Sequence, residues 1–418
     1  MKTTIYSQKQ AALQAATGPK PVRIGVLSAA SINFTAIIDP VSTHSSSVIT
    51  AIASRDQSKA QAQINEFKSL LPGECKAYGS YDSLINDPDI DAIYIPLPNG
   101  LHHKWALAAL EKGKHVLIEK PLASNARQAE DIRDTAARCG KVALEAFHWR
   151  FHPSAHLLKA ILLGGEYGPV LSIDAKAYIP AGVLGKDDIR FKYELAGGCC
   201  MDLTYVFSVI AYFSARDITD PKLEFEVLDS KPRLNEKDRL VDEAIEARIV
   251  ITDPNPYGSG GEKTDIKVTL AADLRQPKVL GIIPKLWAAT PKCTIQCQGA
   301  EIVYTNFIGP WLSHSIAVTP VTRDASGKVM KKGKTTTKKC FKGGPLWDAE
   351  QEAGEAWWTT YRYQLEAFVR KIQAVDGTAG ADEAHEYKGP WMGLDESVRI
   401  MQLIDAVYEK AGLPIRGQ

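Results

Sequence analysis

The 418-residue sequence lacks an excess of charge of either sign, because 50 Lys and Arg residues are balanced by 49 Asp and Glu residues. Proteins that bind nucleic acid or an anionic membrane surface usually carry a basic excess, so we expect neither partner. No run of apolar residues approaches the ~18 uncharged positions that a membrane helix needs, and residues 1–21 lack the apolar core of a secretory signal. With 45% hydrophobic and 24% charged residues, the composition is close to the average of globular proteins, which argues against a largely disordered chain.

Cysteine is scarce. The seven cysteines are an odd number and are thinly spread, so we expect free thiols and a cytoplasmic location. Cys293 and Cys297 are closely spaced, but no second pair follows at the spacing of zinc ligands. The sequence therefore predicts no metal site.

Residues 1–20 are predicted to form an N-terminal arm, which two domains follow. From residue 21 to residue 150, short apolar runs of strand length alternate with segments in which apolar residues recur every three or four positions. Strands without polar alternation that are separated by helices are typical of a parallel sheet covered on both faces. These residues predict a doubly wound Rossmann sheet, with strands at residues 22–27, 48–53, 91–96, 115–119 and 142–146.

The pattern changes in the second domain, residues 151–418. A helix over residues 153–163 is followed by long strand-like runs that often alternate. They favour an α+β domain with a large, mostly antiparallel sheet covered on one face by helices, predicted over residues 201–212, 361–374 and 394–411. Residues 327–344 hold seven lysines and no acidic residue, which is typical of a solvated hairpin.

The first predicted strand runs into a turn of small residues. A dinucleotide fold needs small side chains there, so that the backbone can approach a pyrophosphate whose charge the next helix stabilises. Ser28 and Ala30 stand where glycines are expected, and a tight turn in any α/β protein gives a similar pattern. The candidate pyrophosphate-binding residues are Gly25, Ser28, Ala29, Ala30, Ser31 and Ile32.

The second predicted strand ends in Ser54, Arg55 and Asp56. A site for NAD places a carboxylate at this strand end to bind the ribose hydroxyls, whereas a 2′-phosphate needs a hydroxyl and a cation. Ser54 and Arg55 supply both, and the alternative is an exposed arginine that pairs with Asp56. The chemistry favours NADP over NAD.

Two more predicted strands end at the crevice where such sheets bind their ligands, beyond the carboxyl ends of the strands. Lys120 follows one of them. An ammonium there is suited to give or take the proton of an oxygen beside a nicotinamide ring, whereas an isolated loop lysine is more often solvated. The candidate nicotinamide-pocket residues are Pro96, Leu97, Pro98, Asn99, His102, Glu119 and Lys120.

The order and spacing of five motifs resemble the Gfo/Idh/MocA oxidoreductases, nearest the branch of dimeric dihydrodiol dehydrogenase and NADP-dependent D-xylose dehydrogenase. The resemblance extends along nearly the whole chain. It implies a C-terminal sheet that often mediates dimers, a redox reaction at a sugar, polyol or diol carbon, and Lys120 as the catalytic proton donor or acceptor. The motifs are residues 25–28 (GVLS), 53–56 (ASRD), 119–121 (EKP), 145–153 (EAFHWRFHP) and 197–203 (GGCCMDL).

The sequence departs from this branch at one catalytic position. The branch has a tyrosine or histidine four residues after its aspartate, whereas Tyr205 stands three residues after Asp202 and Thr204 replaces the family glycine. On a helix these positions point ~100° apart. Either Tyr205 substitutes after a local shift, or the second catalytic group is absent and Lys120 works with Asp202 and solvent. Tyr205 also fits a core aromatic in an apolar helix.

The second domain supplies weaker candidates for substrate contacts. Trp287 and Trp311 could stack on a sugar face, although tryptophans are more often core residues. The residues that we assign to substrate binding are Arg150, His152, Arg190, Phe191 and Tyr205.

The sequence thus predicts an oxidoreductase that transfers a hydride between NADP and a carbinol or carbonyl carbon of a sugar, sugar derivative, polyol or diol. Lys120 acts as the general acid or base, and Asp202 orients it. Two alternatives stay open. One is a non-catalytic regulator of the same fold that binds a dinucleotide or a sugar. The other is a sugar–sugar oxidoreductase whose NADP stays bound beneath the N-terminal arm.

Overall fold

A computed structural model describes residues 20–185, 187–258, 263–278, 285, 288–349, 354–377 and 387–418. The predicted N-terminal arm and Trp287 therefore lie outside the described residues, apart from Lys20. No single helix among the described residues is long and apolar enough to cross a membrane, and the segments 193–202 and 205–214 meet that test only as a pair bent by 49°.

The first sheet has six parallel strands, and all five predicted ones are among them. The bounds are β1 (Val22–Leu27), β2 (Ser47–Ala53), β3 (Lys76–Tyr78), β4 (Ala92–Ile95), β5 (His115–Ile118) and β6 (Ala143–Glu145). Their order is β3-β2-β1-β4-β5-β6, so the winding direction reverses between β1 and β4. In such a sheet this reversal opens a crevice at the carboxyl ends of the strands.

Helices cover both faces of this sheet, and several begin at capping side chains. Asp56 accepts a hydrogen bond from the backbone N–H of Ser58, and Asn125 accepts one from that of Gln128, which satisfies N–H groups that the helix itself leaves unpaired. The helices are α1 (Asp39–Ser42), which continues the π-helical turn Phe34–Ile38, α2 (Gln57–Glu66), α3 (Tyr81–Ile85), α4 (His102–Glu111) and α5 (Ala126–Cys139).

The second sheet has nine strands, and the prediction that it is mostly antiparallel is confirmed. Only the pair β7 and β10 is parallel among the described pairs. The bounds are β7 (Val170–Pro180), β8 (Glu224–Leu234), β9 (Asp242–Asp253), β10 (Thr264–Gln276), β11 (Lys292–Cys297), β12 (Ala300–Thr305), β13 (Ser315–Arg323), β14 (Val329–Lys332) and β15 (Thr336–Lys338). The order is β14-β13-β12-β11-β7-β10-β9-β8, and β15 also pairs with β13.

Helices of the second domain pack on one face of this sheet and against the first domain. They are α6 (Pro153–Leu163), α7 (Cys199–Asp202), α8 (Tyr205–Ser214), α9 (Pro345–Ala349), α10 (Thr360–Val375) and α11 (Leu394–Lys410). The prediction of one helix over residues 201–212 is wrong, because the chain leaves helical geometry at Leu203 and begins a new helix at Tyr205. Every residue of α8 is buried, which explains its apolar sequence.

The lysine-rich segment forms β14 and β15, both of which pair with β13 at one margin of the sheet. Most of its lysines are exposed, and only Lys332 forms an ion pair, with Glu301, among the described residues. Exposed lysines at a sheet edge oppose pairing with another chain. The segment is therefore explained by the fold without a ligand.

Candidate active site

Lys120 and Asp202 form an ion pair across the two domains. Lys120 follows β5 at the carboxyl edge of the first sheet, and Asp202 is the last residue of α7. The Lys120 Nζ lies 3.0 Å from Asp202 Oδ1 and 2.8 Å from the Asp202 carbonyl oxygen. Only 15% of the Lys120 side chain and 14% of the Asp202 side chain are exposed. The predicted pair is thus brought together, and little bulk water reaches it.

Arg190 is the second cation on Asp202. Its Nε lies 3.0 Å from Asp202 Oδ2, on the opposite oxygen from Lys120, while its Nη1 pairs with Asp188. Burial raises the pKa of Asp202, but Lys120 and Arg190 outweigh that effect and hold the pKa below its usual value. Asp202 is therefore a carboxylate throughout the neutral range.

Tyr205 lies beside Lys120 and faces it with its ring, while its hydroxyl points to another residue. The Lys120 Nζ is 5.3 Å from the centroid of the Tyr205 ring, whereas the Tyr205 hydroxyl is 2.9 Å from His148 Nε2. His148 Nδ1 is in turn 2.8 Å from Thr360 Oγ1. Burial, and then the nearby Lys120 cation, lower the pKa of His148 to about 3. The imidazole is therefore neutral, and the phenol is bound by a chain of buried hydrogen bonds.

Sequence reasoning missed His148. It stands within the motif at residues 145–153, but it meets Tyr205 from 57 positions away in the chain. Nothing local to residue 148 signals that contact, and a buried polar residue cannot be recognised from one sequence.

The strand ends β4 and β5 are joined by two buried polar contacts. Tyr94 donates a hydrogen bond to Glu119 Oε1 at 2.7 Å. The ring nitrogens of His102 lie 2.7 Å from the Leu97 carbonyl and 2.8 Å from the Pro121 carbonyl. His102 is completely buried and joins the segment after β4 to the segment after β5. Its contact with the cofactor stays a prediction.

The turn after β1 keeps a glycine-like backbone without the glycine. Ser28 has a φ of 118°. Its N–H donates to the Ala53 carbonyl at 2.9 Å, and its own carbonyl accepts from Asn33 Nδ2 at 2.7 Å. Ala29, Ala30, Ser31 and Ile32 follow at the surface of the crevice with small side chains or exposed ones. This cradle fits a pyrophosphate.

Gly25 has a packing role. A Cβ built on Gly25 would lie 2.7 Å from Leu84 Cδ2 and 2.9 Å from Ile90 Cδ1. The missing side chain therefore lets α3 approach the sheet, and the assignment of Gly25 to the cofactor stays a prediction.

The residues after β2 suit a phosphate. The Asp56 carboxylate accepts hydrogen bonds from both the N–H and the hydroxyl of Ser58. Arg55 is exposed and forms no ion pair within the described part of the chain, so the alternative pairing with Asp56 is wrong. Ser54 is buried beside them, with its Oγ 3.4 Å from the Asp56 backbone nitrogen. The hydroxyl of Ser54 and the guanidinium of Arg55, which has no ion-pair partner among the described residues, therefore lie at the end of β2.

The remaining nicotinamide-pocket candidates follow β4. Asn99 crosses to the second domain, where its amide donates to the Ala196 carbonyl at 3.1 Å. Pro96 and Leu97 are buried and Pro98 is half-buried. Their contact with a nicotinamide stays a prediction.

Three of the predicted substrate contacts are buried and already hold other partners. Arg150 is 4% exposed and pairs with Glu396 at 2.7 Å while it stacks on Tyr212. His152 is fully buried and caps α6 through the Ser154 N–H. Phe191 lies in the core beneath the guanidinium of Arg275. Their assignment to substrate binding stays a prediction.

Trp311 lies next to the catalytic candidates. Its ring meets those of His148 and Tyr361 edge to face, with centroids 6.1 and 6.2 Å apart. The side chain is half-buried, so one part of it can still meet a ligand. No group of His, Cys, Asp and Glu side chains within the described ranges is arranged to hold a metal ion.

Residues 22–147 match the profile of the Gfo/Idh/MocA oxidoreductase family, with its NAD-binding Rossmann fold. The resemblance that the motifs indicated is confirmed there. The match covers the whole first sheet and ends two residues beyond β6.

Three curated relatives illustrate the branch. A D-xylose 1-dehydrogenase (NADP(+)) of Haloferax volcanii is 41% identical over 43% of this chain and 53% of its own length. A dTDP-3,4-didehydro-2,6-dideoxy-alpha-D-glucose 3-reductase of Saccharopolyspora spinosa is 36% identical over 44% and 53%. A trans-1,2-dihydrobenzene-1,2-diol dehydrogenase of Xenopus tropicalis is 36% identical over 37% and 44%. The matches span about half the length of these relatives.

Solved structures share the complete architecture. A 3-ketoreductase from Actinomadura kijaniata, crystallised with NADP and TDP-benzene, superposes with a TM-score of 0.68 at 22% identity over 94% of this chain and 98% of that one. An aldose–aldose oxidoreductase from Caulobacter crescentus gives 0.68 at 16% identity over the same shares. Both domains therefore have this fold.

Replacing His148 by Asn should reveal its neutral, buried state through the pH dependence of stability. Between about pH 6.5 and about pH 3 the unfolded chain protonates this histidine and the native protein does not, so acid costs the wild type stability. Since H148N lacks that proton, its deficit in free energy of unfolding, about 1–3 kcal/mol at pH 7, should shrink as the pH falls. Urea unfolding between pH 7.5 and pH 4.5 measures it.

Tyr205→Phe is the matched control, since it removes the same hydrogen bond but leaves the imidazole in place. Its deficit should stay constant over this pH range. A gap between the wild type and H148N that widens in acid would contradict the neutral assignment.

Proposed function

From a first domain that matches the Gfo/Idh/MocA oxidoreductases, we propose that the protein transfers a hydride between NADP(H) and a carbinol or carbonyl carbon of a sugar, sugar derivative, polyol or diol. The names of the relatives support this substrate range, since they include a sugar dehydrogenase, a sugar reductase and a diol dehydrogenase. The observation that carries the proposal is the ammonium of Lys120, held by Asp202 at the carboxyl edge of the Rossmann sheet.

The contacts of Lys120 leave one proton for chemistry. An ammonium has three N–H donors, and two acceptors of Asp202 lie within 3.0 Å of Lys120 Nζ. The third donor direction is available to a substrate oxygen. In reduction Lys120 gives a proton to the developing alkoxide, and in oxidation it takes the proton of the alcohol. The bound nicotinamide supplies or accepts the hydride.

Asp202 and Arg190 position that ammonium. The Asp202 carboxylate bridges Lys120 and Arg190, so that neither cation can turn away from the crevice without losing an ion pair. Such fixed geometry lowers the barrier by removing the need to orient the proton donor during the reaction. Tyr205 contributes the face of its ring to Lys120, and we assign the second proton-handling role to solvent.

The cofactor is proposed to be NADP. Ser54 and Arg55 offer a hydroxyl and a planar cation to a 2′-phosphate, and the helix cap occupies one oxygen, Oδ1, of the neighbouring Asp56 carboxylate. The sugar–sugar variant of this reaction depends on the N-terminal arm, which lies outside the described residues.

We also propose a homodimer formed through the open face of the second sheet. That face carries three acidic and three basic side chains, Asp174, Asp229, Glu246, Lys176, Lys231 and Arg248. Lys176 pairs with Asp174, and Lys231 and Arg248 pair with Asp229, within the chain, so the proposed contact exchanges such partners about a two-fold axis. Sedimentation equilibrium should give a dimer, and the double variant K176E/K231E should dissociate it, whereas a monomeric wild type would contradict the proposal.

Lys120→Ala should reduce turnover by about 10²- to 10⁴-fold, the usual contribution of a general acid or base. The assay follows nicotinamide absorbance with NADP(H) and NAD(H) against aldoses, polyols, keto-sugars and diols. Lys120→Arg is the matched control, because it keeps the cation but cannot release its proton. Both variants should bind NADPH and turn over poorly. Full turnover by K120A would remove the assigned role, and NADPH binding without turnover by the wild type would favour the regulator.

Arg55→Ala should weaken NADP binding by about 10- to 100-fold, as expected for the loss of a charge-assisted contact with phosphate. NAD binding should change little, since NAD lacks that phosphate. Titration of both nucleotides by fluorescence measures the two constants. Lys59→Ala, which removes an exposed cation from the neighbouring helix, serves as the control. Equal losses for NADP and NAD would contradict the 2′-phosphate assignment.

A further inference from the structure

Lys120 and Asp202 belong to segments of different domains, residues 120–125 and 197–202, and the chain that follows α11 touches both segments. Residues 413–417, here the C-terminal strap, pass between the start of α5 and the residues before α7. No motif singles out this strap, and the chemistry described above makes no use of it.

The centre of the strap is a fully buried arginine. The guanidinium of Arg416 is 2.8 Å from Asp242 Oδ1, and neither side chain has any exposed surface. Its Nε donates to the Gly197 carbonyl at 2.8 Å, and its Nη1 donates to the Pro414 carbonyl at 2.8 Å. Tyr193 and Tyr408 lie against the guanidinium.

Asp242 links Arg416 to α7, the helix that carries Asp202. Its Oδ2 accepts the Cys200 N–H at 2.8 Å, two residues before Asp202, and its Oδ1 accepts the Tyr408 hydroxyl at 2.9 Å. Gly198 has a φ of 139°, and a Cβ on it would collide with the Asp242 carboxylate. The chain from residue 197 to residue 202 is therefore fitted around the Asp242–Arg416 pair.

The backbone of the strap reaches the other loop. The Arg416 carbonyl accepts a hydrogen bond from Asn125 Nδ2 at 2.8 Å. Asn125 lies five residues after Lys120 and caps α5 through its Oδ1, which accepts from the Gln128 N–H at 3.0 Å. Arg416 thus binds the segment that follows Lys120 through its carbonyl, and the segment that ends at Asp202 through its side chain.

The burial of the Arg416–Asp242 pair indicates that it fixes a local geometry rather than adding much stability. Removing two charges from water costs about as much as their attraction returns, so a buried ion pair contributes little net stability compared with apolar residues of the same size. What such a pair does supply is a unique geometry, because every donor and acceptor must be satisfied at once.

We propose that Arg416 is the positioning residue of the catalytic pair, and that the strap sets the distance between Lys120 and Asp202 across the domain boundary. The proposal rests on the proposed function of that pair. It predicts that the loss of the guanidinium misplaces Asp202 while the two nucleotide-binding loops, which the strap does not touch, keep their affinity.

Arg416→Ala tests this through kinetics and chemical rescue. The kcat should fall by about 10- to 100-fold, the effect of a displacement near 1 Å in a reacting pair, while NADPH affinity changes little. Because the substitution leaves a cavity shaped like the lost group, millimolar guanidinium chloride should restore much of the kcat, and sodium chloride should not. The pH profile of R416A should approach that of Asp202→Asn.

Arg323→Ala is the matched control. Arg323 also donates to backbone carbonyls, those of Cys297, Gln298 and Gly327, but at the far margin of the second sheet. R323A should lose stability without loss of kcat. Full turnover by folded R416A would overturn the proposal, as would an equal loss of kcat in R323A or the absence of rescue.

Two further measurements cover the remaining outcomes. If R416A does not fold, Asn125→Asp keeps the helix cap and turns the donor towards Arg416 into an acceptor, so its kcat should fall in the same way. Hydrogen exchange of residues 197–202 should accelerate in R416A and slow again with guanidinium, and this readout needs no substrate. An inactive wild type would therefore refute the proposed function alone, whereas unchanged exchange would refute the strap.

Discussion

The ion pair between Lys120 and Asp202 constrains the whole molecule, because its two ends come from separate domains. The Rossmann sheet delivers Lys120 at the end of β5, and the second domain must bring a carboxylate to within 3.0 Å of it. Arg190 completes the pair from the second domain, and His102 holds the loops beside it together. Much of the interface can be understood as scaffolding for this one contact, since an unpaired buried carboxylate would be costly.

The break between α7 and α8 follows from the same constraint. Asp202 ends one helix and Tyr205 begins the next, so the spacing along a continuous helix does not decide where the tyrosine points. The ring still reaches Lys120, while the hydroxyl meets a neutral, buried imidazole. This arrangement favours the alternative in which Lys120 works with Asp202 and solvent.

Local signals carried most of what the sequence could predict. Apolar runs located five strands of the first sheet, and the helix Pro153–Leu163 was predicted with its observed bounds because Pro153 opens it and Gly164 closes it. The Lys120–Asp202 pair was predictable because both residues lie in motifs. The contacts of His148 and Arg416 were not, because their partners Tyr205 and Asp242 lie far along the chain and no motif role connects the two residues of either pair. The burial of Arg150, His152 and Phe191 was not predictable either, because position in a motif does not show whether a side chain faces the core.

Ser28 shows how a site can survive the loss of its expected residue. The backbone there keeps a φ of 118°, a region that glycine adopts freely and that costs other residues of the order of 1–3 kcal/mol. Hydrogen bonds at both of its peptide groups, to Ala53 and from Asn33, hold the serine in this conformation. Asn33 is itself held by Gln63 from α2. The backbone of this turn is therefore set by its surroundings, so the conformation expected of a glycine persists where the glycine itself is absent.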